Sequence, residues 1–217
     1  MQIRNTDIRQ KIIHKKEPSF NARIFYVDSR TFSNILKRTP NCFEVGRISN
    51  TNWLVDEGAF KQPSAFTLKA YNCVVCSIFN PKTRLLNKYH LSPYPKTMSQ
   101  LERVQHTIFE QAKALKGMSK IKLQGFITGG DSNKIASSNE RGLLPAIQET
   151  FQKIQDVLGM DYSIIAGKMD KSKVSVISDA RLNAHYLYRY PHIKNGENLA
   201  NSYEINNISS KNTVVFV

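Results

Sequence analysis

Apolar residues follow two different rhythms along this chain. From Cys42 onward they alternate with polar residues through CFEVGRIS, NTNWLVDE and SAFTLKA. Alternation marks strands with one buried face. NCVVCSIF continues the trend with clustered Val, Ile and Phe, which suit a pleated surface. Asn80-Pro81 with Lys82 and Thr83 predicts a turn, and RLLNKYHL a return strand. A hairpin over 72–91 requires at least one antiparallel pair.

The second rhythm is helical. In MSQLERVQHTIFEQAKALKG, Leu101, Val104, Ile108 and Leu115 fall on one stripe, with Thr97 or Ser99 as the start cap and Gly117 as the stop. A strand over IKLQGFIT leads into Gly129-Gly130. LLPAIQETFQKIQDVLG then predicts a second long helix, with Ile147, Phe151, Ile154 and Leu158 on its stripe. Pro145 suits its first turn. DYSIIAGKM, KVSVISD and AHYLYRY read as further strands, and TVVFV as an edge strand. Nearer the start, Ser29 is the expected cap of a short helix over RTFSNILKR.

This order of elements predicts an α+β (mixed α/β) fold: a layered, largely antiparallel β-sheet or sandwich with two long helices packed on it. Residues 1–41 are expected to form a basic N-terminal extension, 42–190 the domain, and 191–217 a loosely ordered C-terminal extension.

The chain has 217 residues, enough for one domain with a sizeable core. Its net charge is +14, dispersed in short runs such as HKK, KIK and KSK. Such dispersal reads first as a solvated basic surface; the sharper reading is an acidic partner, meaning nucleic acid, an anionic membrane or an acidic protein. No nucleic-acid-binding motif accompanies the charge, so a nucleic-acid-binding protein is the weaker reading and no specific nucleic acid is expected. No apolar run approaches the length of a transmembrane segment. The N-terminus shows no signal-peptide pattern, so the expected location is the cytoplasm, or a host cytosol after delivery by a specialised secretion system.

Three cysteines, Cys42, Cys73 and Cys76, argue against a disulfide framework and for a reducing compartment. Cys73 and Cys76 form one C-x-x-C pair without a second pair at zinc-finger spacing. The pair lies inside a β-rich run, not at the start of a helix as in a thioredoxin-like motif. Its odd spacing puts the two thiols on opposite faces of a strand, so one alone faces His90 across the hairpin. Spacing leaves open which one. A nucleophilic cysteine needs a base, and the base a third group to hold its tautomer. Thr67, six residues before Cys73, has the hydroxyl and carbonyl for that task. Buried cysteines in apolar strands more often pack than react. Of the other histidines, His106 is expected on a helix surface, His185 and His192 in aromatic stacking, and His14 in the basic arm.

The stretch TLKAYNCVVCSIFNPKTRLLNKYHLSP resembles the active-site segment of the CheD family of chemoreceptor glutamine deamidases. That segment has a threonine, then Leu-Gly-Ser-Cys-Val-Ala-Val, an Asp-Pro turn, and a histidine before Leu-Pro. LQGFITGGDSN, SSNERGLLPAIQETFQ and KVSVISDARLNAHYLY resemble the family's later strand, helix and hairpin, so the likeness spans about residues 44–188. Tyr71-Asn72 replaces the family's Gly-Ser. The resemblance implies a cysteine deamidase with Cys73 as nucleophile, His90 as base and Thr67 orienting the imidazole. It implies no metal or organic cofactor, and a protein substrate with an exposed glutamine. Cytotoxic necrotizing factor-type toxins, which deamidate a glutamine in Rho GTPases, share this cysteine–histidine arrangement, and an N-terminal asparagine amidohydrolase family looks related. The altered motif and basic arm favour an effector or toxin acting on a host signalling protein over a chemotaxis enzyme. A non-catalytic binding module of the same fold is the alternative.

Overall fold

The computed structural model describes residues 22–45, 59–70, 73–91, 98–129, 143–165, 173–190 and 214–216. These form an α+β fold of two sheets, mostly antiparallel, and three helices. The strands are β1 (Arg23–Tyr26), β2 (Cys42–Glu44), β3 (Ala59–Gln62), β4 (Ser64–Ala70), β5 (Val74–Asn80), β6 (Leu85–Leu91), β7 (Leu123–Gly129), β8 (Met160–Ile165), β9 (Lys173–Asp179), β10 (Ala184–Tyr190) and β11 (Val214–Phe216). The helices are α1 (Ser29–Arg38), α2 (Met98–Lys116) and α3 (Leu143–Leu158).

A six-stranded sheet has the order β11-β1-β10-β9-β4-β2, and a five-stranded sheet the order β3-β6-β5-β7-β8. The hairpin expected over 72–91 is β5–β6, closed by residues 81–84. Asn80 builds its turn: its Oδ1 accepts from the N–H groups of Lys82 and Thr83 at 3.0 and 3.3 Å, the Asx-turn habit of asparagine.

The pleat of the five-stranded sheet sorts its side chains into two cores. Val74, Cys76, Ile78, Tyr89 and Leu91 join α2 and α3 in one cluster. Cys73, Val75 and Phe126 join Ile24, Ala70, Val174, Val176 and Leu187 of or beside the other sheet. The two sheets thus pack face to face, with the two long helices on the outer face of the five-stranded sheet. The shorter helix α1 covers the outer face of the six-stranded one, through Phe32 against Ile177 and Val27.

Three expectations are corrected. Residues 1–41 are not wholly an extension, because β1 lies inside the six-stranded sheet, parallel to β10 and β11, and α1 packs beneath it. A four-residue strand bounded by polar sequence carries little periodicity of its own; pairing on both edges makes it a strand. The edge strand expected in TVVFV is present as β11. The cap of α1 is Asp28, not Ser29: its carboxylate accepts from Thr31 N–H at 2.6 Å, and a charged acceptor complements the helix N-terminus better than a hydroxyl. In α2 the helix begins at Met98, so Ser99 lies within the first turn and does not cap it. Thr97, NTNWLVDE, His14 and His192 lie outside the described residues.

Candidate active site

Antiparallel register sets the relation of Cys73 to His90. Val74 pairs with Leu91 and Val75 with His90. Cys73, one residue before the strand, shares the inward face with Val75. It therefore lies diagonally across the hairpin from His90, where backbones sit about 7–8 Å apart and long side chains meet. Cys76 is on the opposite face, fully buried against the helices, and burial raises its thiol far above the ordinary value. Of the two thiols in the C-x-x-C pair, Cys73 is the one on the histidine's side.

Thr67 reaches His90 from the other sheet. Its Oγ1 lies 2.7 Å from His90 Nδ1 and donates to the carbonyl of Val45 at 2.9 Å. The chemistry of those two contacts assigns the protons. Val45 O can only accept, so the single Thr67 hydroxyl proton goes to it. Thr67 Oγ1 must then accept, and His90 must carry its proton on Nδ1. Nε2 is left as the basic nitrogen, the tautomer a general base requires.

Local backbone features hold both partners in place. The β4–β9 register shifts between Thr67 and Ala70, where Lys69 adopts φ 52° and its N–H donates to Ser175 Oγ at 3.0 Å. The bulge lets Thr67 and Ala70, three apart, both face inward. Gly129 lies opposite Val74 in β7 with φ +81°, and a Cβ there would collide with the Cys73 carbonyl. A side chain is thus excluded at 129 both by conformation and by close approach of the Cys73 backbone.

A second polar cluster lies two residues along the same face. Lys88 is fully buried, and its Nζ donates to Ser178 Oγ at 2.8 Å. Ser178 Oγ also contacts Ser77 Oγ at 3.1 Å and His185 Nδ1 at 3.0 Å. Burial lowers the Lys88 ammonium to about 7. Burial, with the neighbouring Lys88, holds His185 well below the usual imidazole range. The His185 ring stacks on Phe79 and Phe126 with centroids at 4.7 and 4.1 Å. Stacking was expected for His185, though with tyrosines. His106 is exposed on α2.

Sequence reasoning missed Val45 O, Lys88, Ser178 and Gly129 as parts of this interior. Only Gly129 left a signal, in the Gly-Gly that ends its strand. Among the described residues no group of His, Cys, Asp and Glu is arranged to hold a metal ion, and no helix is long and apolar enough to cross a membrane. No protein-family model matches the chain, and no curated protein matches it.

Proposed function

We propose that this protein is a cysteine amidohydrolase acting on a side-chain carboxamide of a protein, a glutamine deamidase of the CheD and cytotoxic necrotizing factor type. The observation that carries the reading is the Thr67–His90 hydrogen bond, oriented by Val45 O so that Nε2 is basic on the face shared with Cys73. A two-sheet fold with this hairpin also suits the resemblance in the active-site segment.

In the proposed reaction His90 Nε2 takes the Cys73 thiol proton, and the thiolate attacks the carboxamide carbon. The tetrahedral oxyanion is met by backbone N–H donors near Cys73. The C–N bond breaks as His90 returns the proton to nitrogen, and ammonia leaves. Water, deprotonated by the same Nε2, attacks the thioester; the C–S bond breaks, giving carboxylate and regenerated thiol. Thr67 keeps the ring in one tautomer through both halves. The scheme balances without a metal or redox partner.

Candidate substrate proteins incubated with wild type and with Cys73→Ser test the reading by intact mass, peptide mapping and ammonia assay. Glutamine converted to glutamate only by wild type supports it. Wild-type-dependent backbone cleavage, or amine attachment without deamidated product, would show a different reaction. Slow alkylation of Cys73, equal in wild type and His90→Ala, would favour a binding module.

A further inference from the structure

Away from Cys73, an open groove of about 590 Å³ runs between α1 and the turn joining β9 to β10. This size falls in the range of about 300–1,000 Å³ typical of ligand pockets. Thr31, Asn34, Ile35 and Arg38 line it from the helix, spaced as one stripe. Leu182 and Tyr186 supply apolar surface from the other wall. The groove is remote from the thiol. Asp179, on its wall, ends β9 at the register of Ser64, whereas Cys73 clusters with Ala70 and Val174 at the strand's other end. Those ends are about 20 Å apart at strand rise.

The charge around the groove is one-sided. Helix α1 contains no acidic residue, and Arg30, Lys37 and Arg38 are exposed on it. The two nearby carboxylates are committed: Asp28 caps the helix, and Asp179 holds Arg181 in a two-pronged ion pair, with Oδ2 at 2.8 Å from Nη2 and Oδ1 at 3.0 Å from Nε. Arg38 has no acidic partner among the described residues. Strand β1 also starts beside this turn, since Arg23 N–H donates to Asn183 O at 2.9 Å. Residues 1–21 carry five Lys and Arg against two Asp and Glu, so they match the groove's sign and do not complement it.

We propose that this groove docks an acidic peptide segment of a protein partner, with a carboxylate over Arg38, the exposed Lys37 beside it on α1 adding to the attraction, and an apolar side chain against Ile35, Leu182 and Tyr186. One feature favours peptide over nucleic acid: the lining pairs a single arginine without a carboxylate partner among the described residues, Arg38, with the apolar surface of Ile35, Leu182 and Tyr186, which suits mixed acidic and aliphatic side chains and offers no row of cations for a phosphate backbone. The proposal stands apart from the chemistry at Cys73.

The test is fluorescence anisotropy with a labelled peptide of glutamates around one leucine, at low salt. Wild type is expected to bind it. The peptide with every Glu replaced by Gln, and the variant Lys37→Gln/Arg38→Gln with wild-type circular dichroism, are each expected to bind about tenfold more weakly. Salt should weaken wild-type binding. Lys113→Gln on α2, an exposed charge elsewhere, should bind like wild type. Equal affinity for the Glu and Gln peptides would overturn the proposal, and that arm needs no variant. Loss of affinity in Lys113→Gln as large as in the groove variant would also overturn it, because net charge alone would then be acting. So would a random single-stranded oligonucleotide that binds more tightly and loses affinity in the groove variant.

Discussion

His90 and His185 each bring Nδ1 to a hydroxyl across or along the sandwich, Thr67 at 2.7 Å and Ser178 at 3.0 Å. The hydroxyls differ in what else they touch. Thr67 is tied to a carbonyl, which can only accept, so the direction of every proton in Val45–Thr67–His90 follows. Ser178 is tied to Ser77 and Lys88. Ser77 can give or take a proton, so the direction at His185 is not dictated. A backbone acceptor converts an ordinary hydroxyl contact into a tautomer lock. The surroundings differ as well. His185 is stacked on two phenylalanine rings, whereas His90 pairs with Val75 and so lies diagonally across the hairpin from Cys73. Two buried histidines with similar first contacts thus differ in surroundings, and in the proposed reaction only His90 is given a proton to move.

The comparison breaks most sharply at the thiols. Cys73→Ser is expected to lower carboxamide hydrolysis by about four orders of magnitude or more with the fold intact, as loss of a nucleophile does. Cys76→Ser, on the helix side, should retain activity. Equal loss in two folded variants, read by ammonia release, would remove the distinction between the faces.

The histidines come next. His90→Ala should cost about 10²–10⁴-fold in turnover, the usual contribution of a general base, and slow iodoacetamide alkylation of Cys73 near neutral pH. His185→Asn should leave alkylation unchanged while lowering the denaturation midpoint. Matching alkylation rates in His90→Ala and wild type would count against the pairing.

Thr67→Val sharpens the tautomer argument. It removes the hydroxyl and leaves Val45 O and His90 Nδ1 without that partner, so turnover should fall by about tenfold to a hundredfold, less than for loss of the base itself. Thr67→Ser keeps the hydroxyl and should recover most of the rate. A Val variant as active as wild type would mean that the hydroxyl does not orient the ring.

The smallest effect is on stability and comes from Lys88. Its folded value of about 7 lies below the ordinary 10.5, so the unfolded chain binds the extra proton between these limits. Stability therefore rises with pH from 7 upward, and the full penalty is present below 7. Between pH 7 and the ordinary thiol range near 8.5, wild-type unfolding free energy should rise by about 2 kcal/mol. Lys88→Met should be the more stable protein at pH 7 and should lose most of that slope, as measured by urea denaturation. His185 adds in the same sense, because its depressed folded value withdraws stability as pH falls through the usual imidazole range.

Much of the architecture was legible because it is local. The 3.6-residue stripes of α2 and α3 and the Asn80 turn depend on neighbours close in sequence, so pattern alone placed them. The same hairpin brought Cys73 and His90 to adjacent strands, and odd spacing separated Cys73 from Cys76. Strand β1 was not legible, since four residues hold too little period to be told from an extended arm.

The interior of the sandwich shows the limit most clearly. In LLNKYHL, Lys88 and His90 occupy alternate positions on the face that polarity alone would turn to water. Alternation tells which residues share a face, and the chain determined that much by itself. Whether a face meets solvent or a second sheet depends on β4, β9 and β10, strands remote in sequence whose packing closes over β6. That closure buries Lys88 and sets Thr67 against His90. Hydrogen bonds between residues 23 and 90 positions apart cost chain entropy that no local pattern encodes, so only the packed tertiary structure decides them.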